Sequence, residues 1–252
     1  MAVAIAAPRP ARLHAERSFY LLASGTILAF ILAGFRQFLL HGRQPDGTPL
    51  TAAIRPLVIT HGLLMLLWIV LFVLQNALIV GGNRKLHITL GGAGAVLAAL
   101  MVAVGLAMAW ASARFDPAGS QPWGVAAFLT VPLATILGFG AFAALGVFYR
   151  RLPKLHRPMM LLATLSLAGA GLDRISAISD PITTATHNSL FAALYLAPLT
   201  LGALFLLAKW AMTRSWDWVF AFGYAALAAF FALSAVVAST AWWNHLAGLM
   251  LR

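Results

Sequence analysis

Cysteine is absent from the chain, which removes disulfides, thiolate metal ligands, covalent haem-attachment motifs and thiol catalysis together. Any metal must be held by His, Asp, Met or backbone oxygen. Charge is scarce as well: 9% of the 252 residues are charged and 62% are hydrophobic, against roughly 25% charged in a soluble domain. That leaves too little polar surface to cover so apolar a core in water, so the chain reads as a membrane protein. Other absences narrow the chemistry. No HExxH metal motif, nucleophile elbow or phosphate-binding glycine loop occurs, and the last apolar run has no lysine to carry a retinal Schiff base.

What the chain does have is long apolar runs. Seven of them reach the roughly 20 mostly apolar residues that a spanning helix takes: about Ser18 to Leu40, Leu57 to Val80, Ile88 to Ser112, Gly124 to Tyr149, Met159 to Ser179, Leu190 to Ala208 and Trp218 to Trp243. The expected fold is all-α, a polytopic bundle of seven transmembrane helices. Residues 1–17 form a short basic N-terminal segment and 18–252 a single membrane domain. A signal peptide would have a shorter apolar core, so the first run is expected to stay as a helix. Pro132 predicts a kink in the fourth helix. The third carries Gly91, Gly92, Gly94, Ala98 and Gly105, a small-residue face that suits close helix approach and a central place in the bundle.

The formal net charge of +11 does not point to nucleic acid, because the basic residues fall in short turns between apolar runs. The N-terminal segment, from Arg9 to Arg17, and the turns after the second, fourth and sixth runs carry eleven Lys and Arg, including Arg84, Lys85, Arg150, Arg151, Lys154, Arg157 and Lys209. The other side has six, with Arg114, near Gly119, and Arg252 among them. The positive-inside rule then puts the N-terminus in the cytoplasm and the C-terminus outside. Trp123, Trp216, Trp218, Trp242 and Trp243 at run ends fit an aromatic belt.

The histidines divide by side. Near the outer surface, Arg36, His61, Asp173 and Arg174 fall within roughly two turns of one level, at ~1.5 Å rise per residue. Intramembrane charges are expected to be buried and paired. One reading is an ion-pair lock, with Asp173 neutralising Arg36 or Arg174 beside His61. Another is a pocket in which His61 and His187 ligate a cofactor or metal while Arg36 and Arg174 hold carboxylates. A third is a metal site of His61, Asp173 and His187. On the cytoplasmic side, Lys85, Leu86, His87 recurs as Lys154, Leu155, His156, each time before an apolar helix. Those two histidines read either as part of a solvated basic surface or as axial ligands of a haem held between facing helices.

The hairpin from Leu57 to Gly105, with His61, Gly62, Leu63, Leu64, Met65 and then Lys85, Leu86, His87 ahead of a glycine-bearing helix, resembles the second and third helices of the di-haem, ascorbate-reducible cytochrome b family. The resemblance covers about 50 of 252 residues. It implies haem b, His61 and His87 as ligands, and electron transfer across the membrane. Such a cytochrome also places a ligand histidine on the next helix, and Gly124 to Tyr149 holds none. The hairpin together with Leu155, His156, Arg157, Pro158, Met159, Met160 is similar to a broad group of bacterial polytopic membrane proteins, which implies the architecture and an inner-membrane location but supplies no reaction.

The leading expectation is therefore a haem b-binding protein of transmembrane electron transfer, with His61, His87, His156 and His187 as candidate ligands. The alternatives are a non-catalytic accessory or assembly subunit of a larger membrane complex, and the outer His/Asp metal site. Expected partners are the lipid bilayer and a membrane-protein partner or second copy.

Overall fold

The structure is a computed structural model and describes residues 10–117 and 122–251; Arg9, Gly119 and Arg252 lie outside the described residues. Ten helices occur among them: α1 Pro10–Gly34, α2 Arg36–His41, α3 Arg55–Val80, α4 Arg84–Phe115, α5 Val125–Phe148, α6 Pro153–Leu172, α7 Ser176–Ala185, α8 Leu190–Thr213, α9 Trp218–Ala238 and α10 Ala241–Met250. Six are long and apolar enough to cross a membrane, namely α1, α3, α4, α5, α8 and α9. A seventh span counts only if α6 and α7, which meet at 85°, are taken together. The chain is an integral membrane helical protein.

Local chemistry sets the boundaries. Pro56 and Pro153 sit in the first turns of α3 and α6, where a missing N–H costs nothing. Asn83, Asp217 and Thr240 cap α4, α9 and α10 by accepting backbone N–H bonds from Leu86, Phe220 and Trp243 at 3.1, 3.0 and 3.2 Å. The turn between α3 and α4 passes through Gly82 at φ +76°, a conformation that favours glycine.

Three expected spans end early, the first and fifth because they begin early. The first run's helix begins at Pro10 instead of Ser18 and so completes its 25 residues at Gly34; the chain breaks at Phe35 and resumes as α2. The fifth begins at Pro153 instead of Met159 and is finished at Leu172, with Asp173 as its C-cap. It does not run on to Ser179, and Asp173 and Arg174 are not inside a helix. The seventh ends at Ala238, and α10 follows separately. Twenty to twenty-five residues already make about 30–37 Å of helix, the thickness of the hydrocarbon core, so a helix that starts earlier must end earlier. α5 runs unbroken through Pro132.

Packing makes α6, and not α4, the central helix. Every residue from Leu161 to Gly169 is buried, because α6 is packed by α1, α5, α8 and α9. α4 packs on α3 and α5 and leaves Gly91 and Gly92 open, with nothing near a would-be Cβ. Among the described glycines the tightest contact is between α1 and α6. A Cβ on Gly34 would lie 2.1 Å from the Gly171 carbonyl oxygen, so only glycine permits that crossing. Helices α1, α3, α4, α5 and α6 pack in sequence around a ring. Its middle is filled by Trp68 of α3, edge-on to Phe139 of α5 at 4.9 Å and donating to Thr164 Oγ1 of α6 at 3.2 Å.

Candidate functional site

The starts of α1, α4, α6 and α9 and the ends of α3, α5 and α8 share one end of the bundle, and most of the basic residues lie there. At that basic end, His87 in the first turn of α4 and His156 in the first turn of α6 come together, with ring centroids 6.3 Å apart and planes at 83°. Their positions within helices replace the expectation that they lie in turns. Both are half-buried. His156 Nδ1 lies 2.8 Å from the Gly146 carbonyl of α5, so Nδ1–H donates and Nε2 keeps its lone pair. His87 Nδ1 meets Gln75 of α3, whose main-chain oxygen is 3.4 Å away. The Gln75 side-chain amide, oriented to suit its neighbours, accepts the Gly91 N–H and donates to His87 Nδ1 at 2.5 Å and to the His87 carbonyl at 3.1 Å. In both histidines Nδ1 is taken up by the bundle; His156 keeps its lone pair on Nε2, whereas His87 carries its proton on Nε2 while Nδ1 accepts from Gln75, and has a lone pair there only when Nδ1–H donates to the Gln75 main-chain oxygen instead.

This layer has a floor. Gln75 lies seven residues beyond Trp68, Gly146 seven beyond Phe139, and Thr164 eight beyond His156, so the histidines stand about 10–12 Å from the Trp68 layer along the helices. α5 and α6 pack closely here: a Cβ on Gly146 would meet Met160 Sδ at 2.4 Å and displace that side chain. Arg84 and Arg157 are charged neighbours of His87.

At the opposite end the expected outer group is only partly assembled. His61 in α3 and Asp173 after α6 share Arg174 as a charged neighbour. Among the described residues no ion pair joins Asp173 to Arg36 or Arg174; the three that occur involve Glu16 and Asp217. The expected lock is therefore absent. Arg174 instead donates to the Ala170 carbonyl and lies over the Phe35 ring at 4.5 Å. His61 Nδ1 and Asp173 Oδ1 are buried with no hydrogen-bond partner. Arg36 is exposed at the start of α2, and His187 is exposed in the α7–α8 turn at φ +49°. No group of three or more His, Asp or Glu placed to hold a metal occurs among the described residues, so His61, Asp173 and His187 are not brought together as one.

A third cluster escaped the sequence reading. Lys209, assigned there to a turn, lies within α8 with its side chain 4% exposed. It donates to Tyr20 Oη at 2.5 Å and pairs with Asp217, with Glu16 at 3.9 Å. Glu16 pairs in turn with Arg157 at 3.4 Å. The ammonium is 4.4 Å from the Tyr20 ring and 5.6 Å from that of Phe19. The cluster ties α1, α6 and α8 to the start of α9. An ionisable residue directly continuing the apolar run Leu190 to Ala208 was its one sequence signal.

Comparisons with protein-family models, with curated proteins and with solved structures give no match.

Proposed function

We propose that this integral membrane protein binds haem b between His87 and His156 and serves electron transfer. One observation carries the reading: two imidazoles from different helices occupy one layer, each with Nδ1 held by a neighbouring helix and Nε2 spare. Their spacing supports it. A ring nitrogen lies about 1.2 Å from its centroid for ring bonds near 1.33 Å, and metal–imidazole bonds run about 2.0–2.1 Å. Two imidazoles on opposite sides of one metal would thus have centroids about 6.4 Å apart, beside the 6.3 Å of the pair. That distance also suits an edge-to-face ring contact; the His156 Nδ1–H bond to the Gly146 carbonyl favours ligation, since metal-bound histidines almost always donate their other N–H.

A haem held there supplies reversible one-electron transfer. The Gly146 carbonyl fixes the His156 tautomer and raises the basicity of Nε2. The Gln75 main-chain oxygen does the same for His87 when Nδ1 carries the proton. Arg84 and Arg157, charged neighbours of His87, suit the carboxylates of the macrocycle, because guanidinium groups form bidentate pairs with them. Trp68 and Phe139 close the layer below.

The reading agrees with the resemblance to the di-haem, ascorbate-reducible cytochrome b family in using His87, and departs from it at His61. Among the described residues the one histidine ring pair is His87 with His156, so a single haem is proposed. A bacterial inner membrane, a crossing by α6 and a cytoplasmic basic end belong to the same reading, supported by the gathering of Lys and Arg at that end.

Absorption spectra of the purified protein, oxidised and dithionite-reduced, test it. A Soret band with a sharp reduced alpha band is expected, lost in His87→Ala and in His156→Ala and kept in His61→Ala. Colourless protein from haem-replete cells would overturn the proposal and favour the accessory-subunit alternative.

A further inference from the structure

At the end opposite the histidine pair, Asp173 carries a buried carboxylate oxygen, Oδ1, with no hydrogen-bond partner. The residue caps α6 where the chain turns by 85° into α7. The 20 residues of α6 make about 30 Å of helix, so the bend stands at the far edge of the hydrocarbon core. Asp173 as a whole is half-buried, and Ser176 and Asp180 just beyond it are exposed. Its carboxylate thus has the outer surface on one side and the bundle on the other.

On the bundle side it meets a second acceptor. Asp173 Oδ2 lies 3.8 Å from the place that a Cβ on Gly169 would take, and the Leu194 main-chain oxygen of α8 lies 3.3 Å from the same place. In a regular helix that oxygen would accept the N–H of residue 198. Residue 198 is a proline inside α8, and proline has no N–H to donate. The proline frees a carbonyl at the α6–α8 crossing, where a side chain on Gly169 would crowd both oxygens. Two acceptors cannot bond each other, and a buried acceptor left unpaired is destabilising. A proton changes this, because a protonated carboxyl is a donor.

The groups around Asp173 do not supply that donor. The C-terminus of α6 puts the negative end of its dipole there and disfavours the carboxylate, whereas Arg174 beside it favours one. Arg174 forms no ion pair with it, and instead donates to the Ala170 carbonyl and lies over the Phe35 ring. On α8, Tyr195 is the titratable neighbour. Its hydroxyl is committed to Ser234 of α9 at 3.0 Å, whose own hydrogen goes to the Phe231 carbonyl at 2.8 Å. On α1 the residues against Gly171 are Phe30 and Ile31, which do not titrate. On α7, Asp180 accepts from Ser179 at 3.2 Å. His61 of α3 has Arg174 as its charged neighbour.

We propose that Asp173 is a proton-binding site: its carboxylate takes a proton from hydronium at the α6–α7 bend, releasing water, and the new O–H donates to the Leu194 carbonyl. A broken membrane helix whose C-terminal end meets freed main-chain oxygens is a place where membrane proteins hold a coupling cation. The site stands independently of haem at the other end.

Infrared difference spectra of the full-length protein in nanodiscs, taken between neutral and alkaline buffer, test the assignment. The carbonyl-stretch band of one protonated carboxyl is expected at neutral pH, lost in alkaline buffer and absent from Asp173→Asn. Asparagine keeps the shape and a donor of the protonated side chain, so this variant should elute as the wild type does. Pro198→Ala returns an N–H to the Leu194 carbonyl and should weaken proton binding at least tenfold, a downward shift of about one pH unit or more in the titration. A band unchanged in Asp173→Asn, or a carboxyl ionised throughout the range, would overturn the proposal. So would a titration that Pro198→Ala leaves in place, or one that sodium chloride displaces and choline chloride does not, which would make the ligand a metal cation.

Discussion

Replacing Asp217 by Asn isolates the contribution of the buried Lys209 cluster. Lys209 is 4% exposed, while Asp217 and Glu16 are 19% and 25% exposed. Asp217 has two roles: one carboxylate oxygen pairs with Lys209, and the other accepts the Phe220 N–H at 3.0 Å as the α9 cap. Asn keeps the cap, since Asn and Asp serve there about equally, and removes only the anion. Breaking a buried pair by removing one partner costs about 3–5 kcal/mol. Glu16 stays at 3.9 Å, so the lower end applies: about 3 kcal/mol, or roughly 150-fold in the folding equilibrium at 1.4 kcal/mol per decade. Asp217→Ala loses the cap too and should cost about 1 kcal/mol more. Lys209→Met should cost less than Asp217→Asn, because the two carboxylates left behind, each about a fifth to a quarter exposed, can hydrate. The double variant Lys209→Met with Asp217→Asn should fall within about 1 kcal/mol of the wild type, as buried pairs replaced whole often do. Reversible SDS titration in mixed micelles reads all four. An Asp217→Asn variant within 1 kcal/mol of wild type, or a double variant whose cost is the sum of the singles, would refute the reasoning.

Gly34→Ala should cost about 1–3 kcal/mol by overpacking the α1–α6 crossing, read in the same titration. Gly25→Ala, with nothing within 4 Å, should be neutral or stabilising by about 0.5–1 kcal/mol. On the haem reading, Gln75→Leu removes the amide that donates to His87 Nδ1 and leaves the main-chain oxygen to take Nδ1–H, so haem retention, measured by transfer of haem to apomyoglobin, should be unchanged or stronger; a loss of about 10-fold or more, the effect of removing an accepting partner of a ligand histidine, would contradict the assignment. In the loop after α2, the Asp46 pKa lies below its usual 3.8 because the Thr48 hydroxyl and N–H both donate to its carboxylate. A depressed carboxylate pKa contributes order that is present above the unfolded value and lost as pH falls through the folded one. The Thr48 amide resonance should therefore titrate below pH 3.8, and a midpoint at or above that value would contradict the assignment.

The spans were legible because hydropathy alone dictates them: α3, α4, α5, α8 and α9 start within about four residues of the apolar runs that announced them. The ends of α1 and α6 were not, because both helices begin ahead of their apolar runs and reach spanning length sooner; that of α9 was hidden because Ser239 and Thr240, which end it and cap α10, sit inside the expected run. Pro153 as a helix start adds six residues to α6 and thereby puts Asp173 and Arg174 outside it. The repeated Lys-Leu-His turn was visible, and its two histidines were expected at one level, yet their meeting depends on both flanking α5. The outer group looked the better assembled from sequence. Depth along a helix can be counted, whereas the direction in which Arg36 and His187 leave the backbone cannot. Lys209 was missed because Tyr20 and Glu16 lie some 190 residues away, beyond the reach of any local pattern.

The burial of α6 has a consequence for how the protein is made. Its sides from Leu161 to Gly169 face other helices and not lipid, and by itself it is not among the helices apolar enough to be taken for a span. Leaving the ribosome, it must enter a membrane that already holds α1 and α5, whose faces receive two of its sides. The other two wait for α8 and α9, which are synthesised later. The bundle thus closes around its sixth helix from both directions of the chain, and biogenesis passes through a stage in which its axis is half covered.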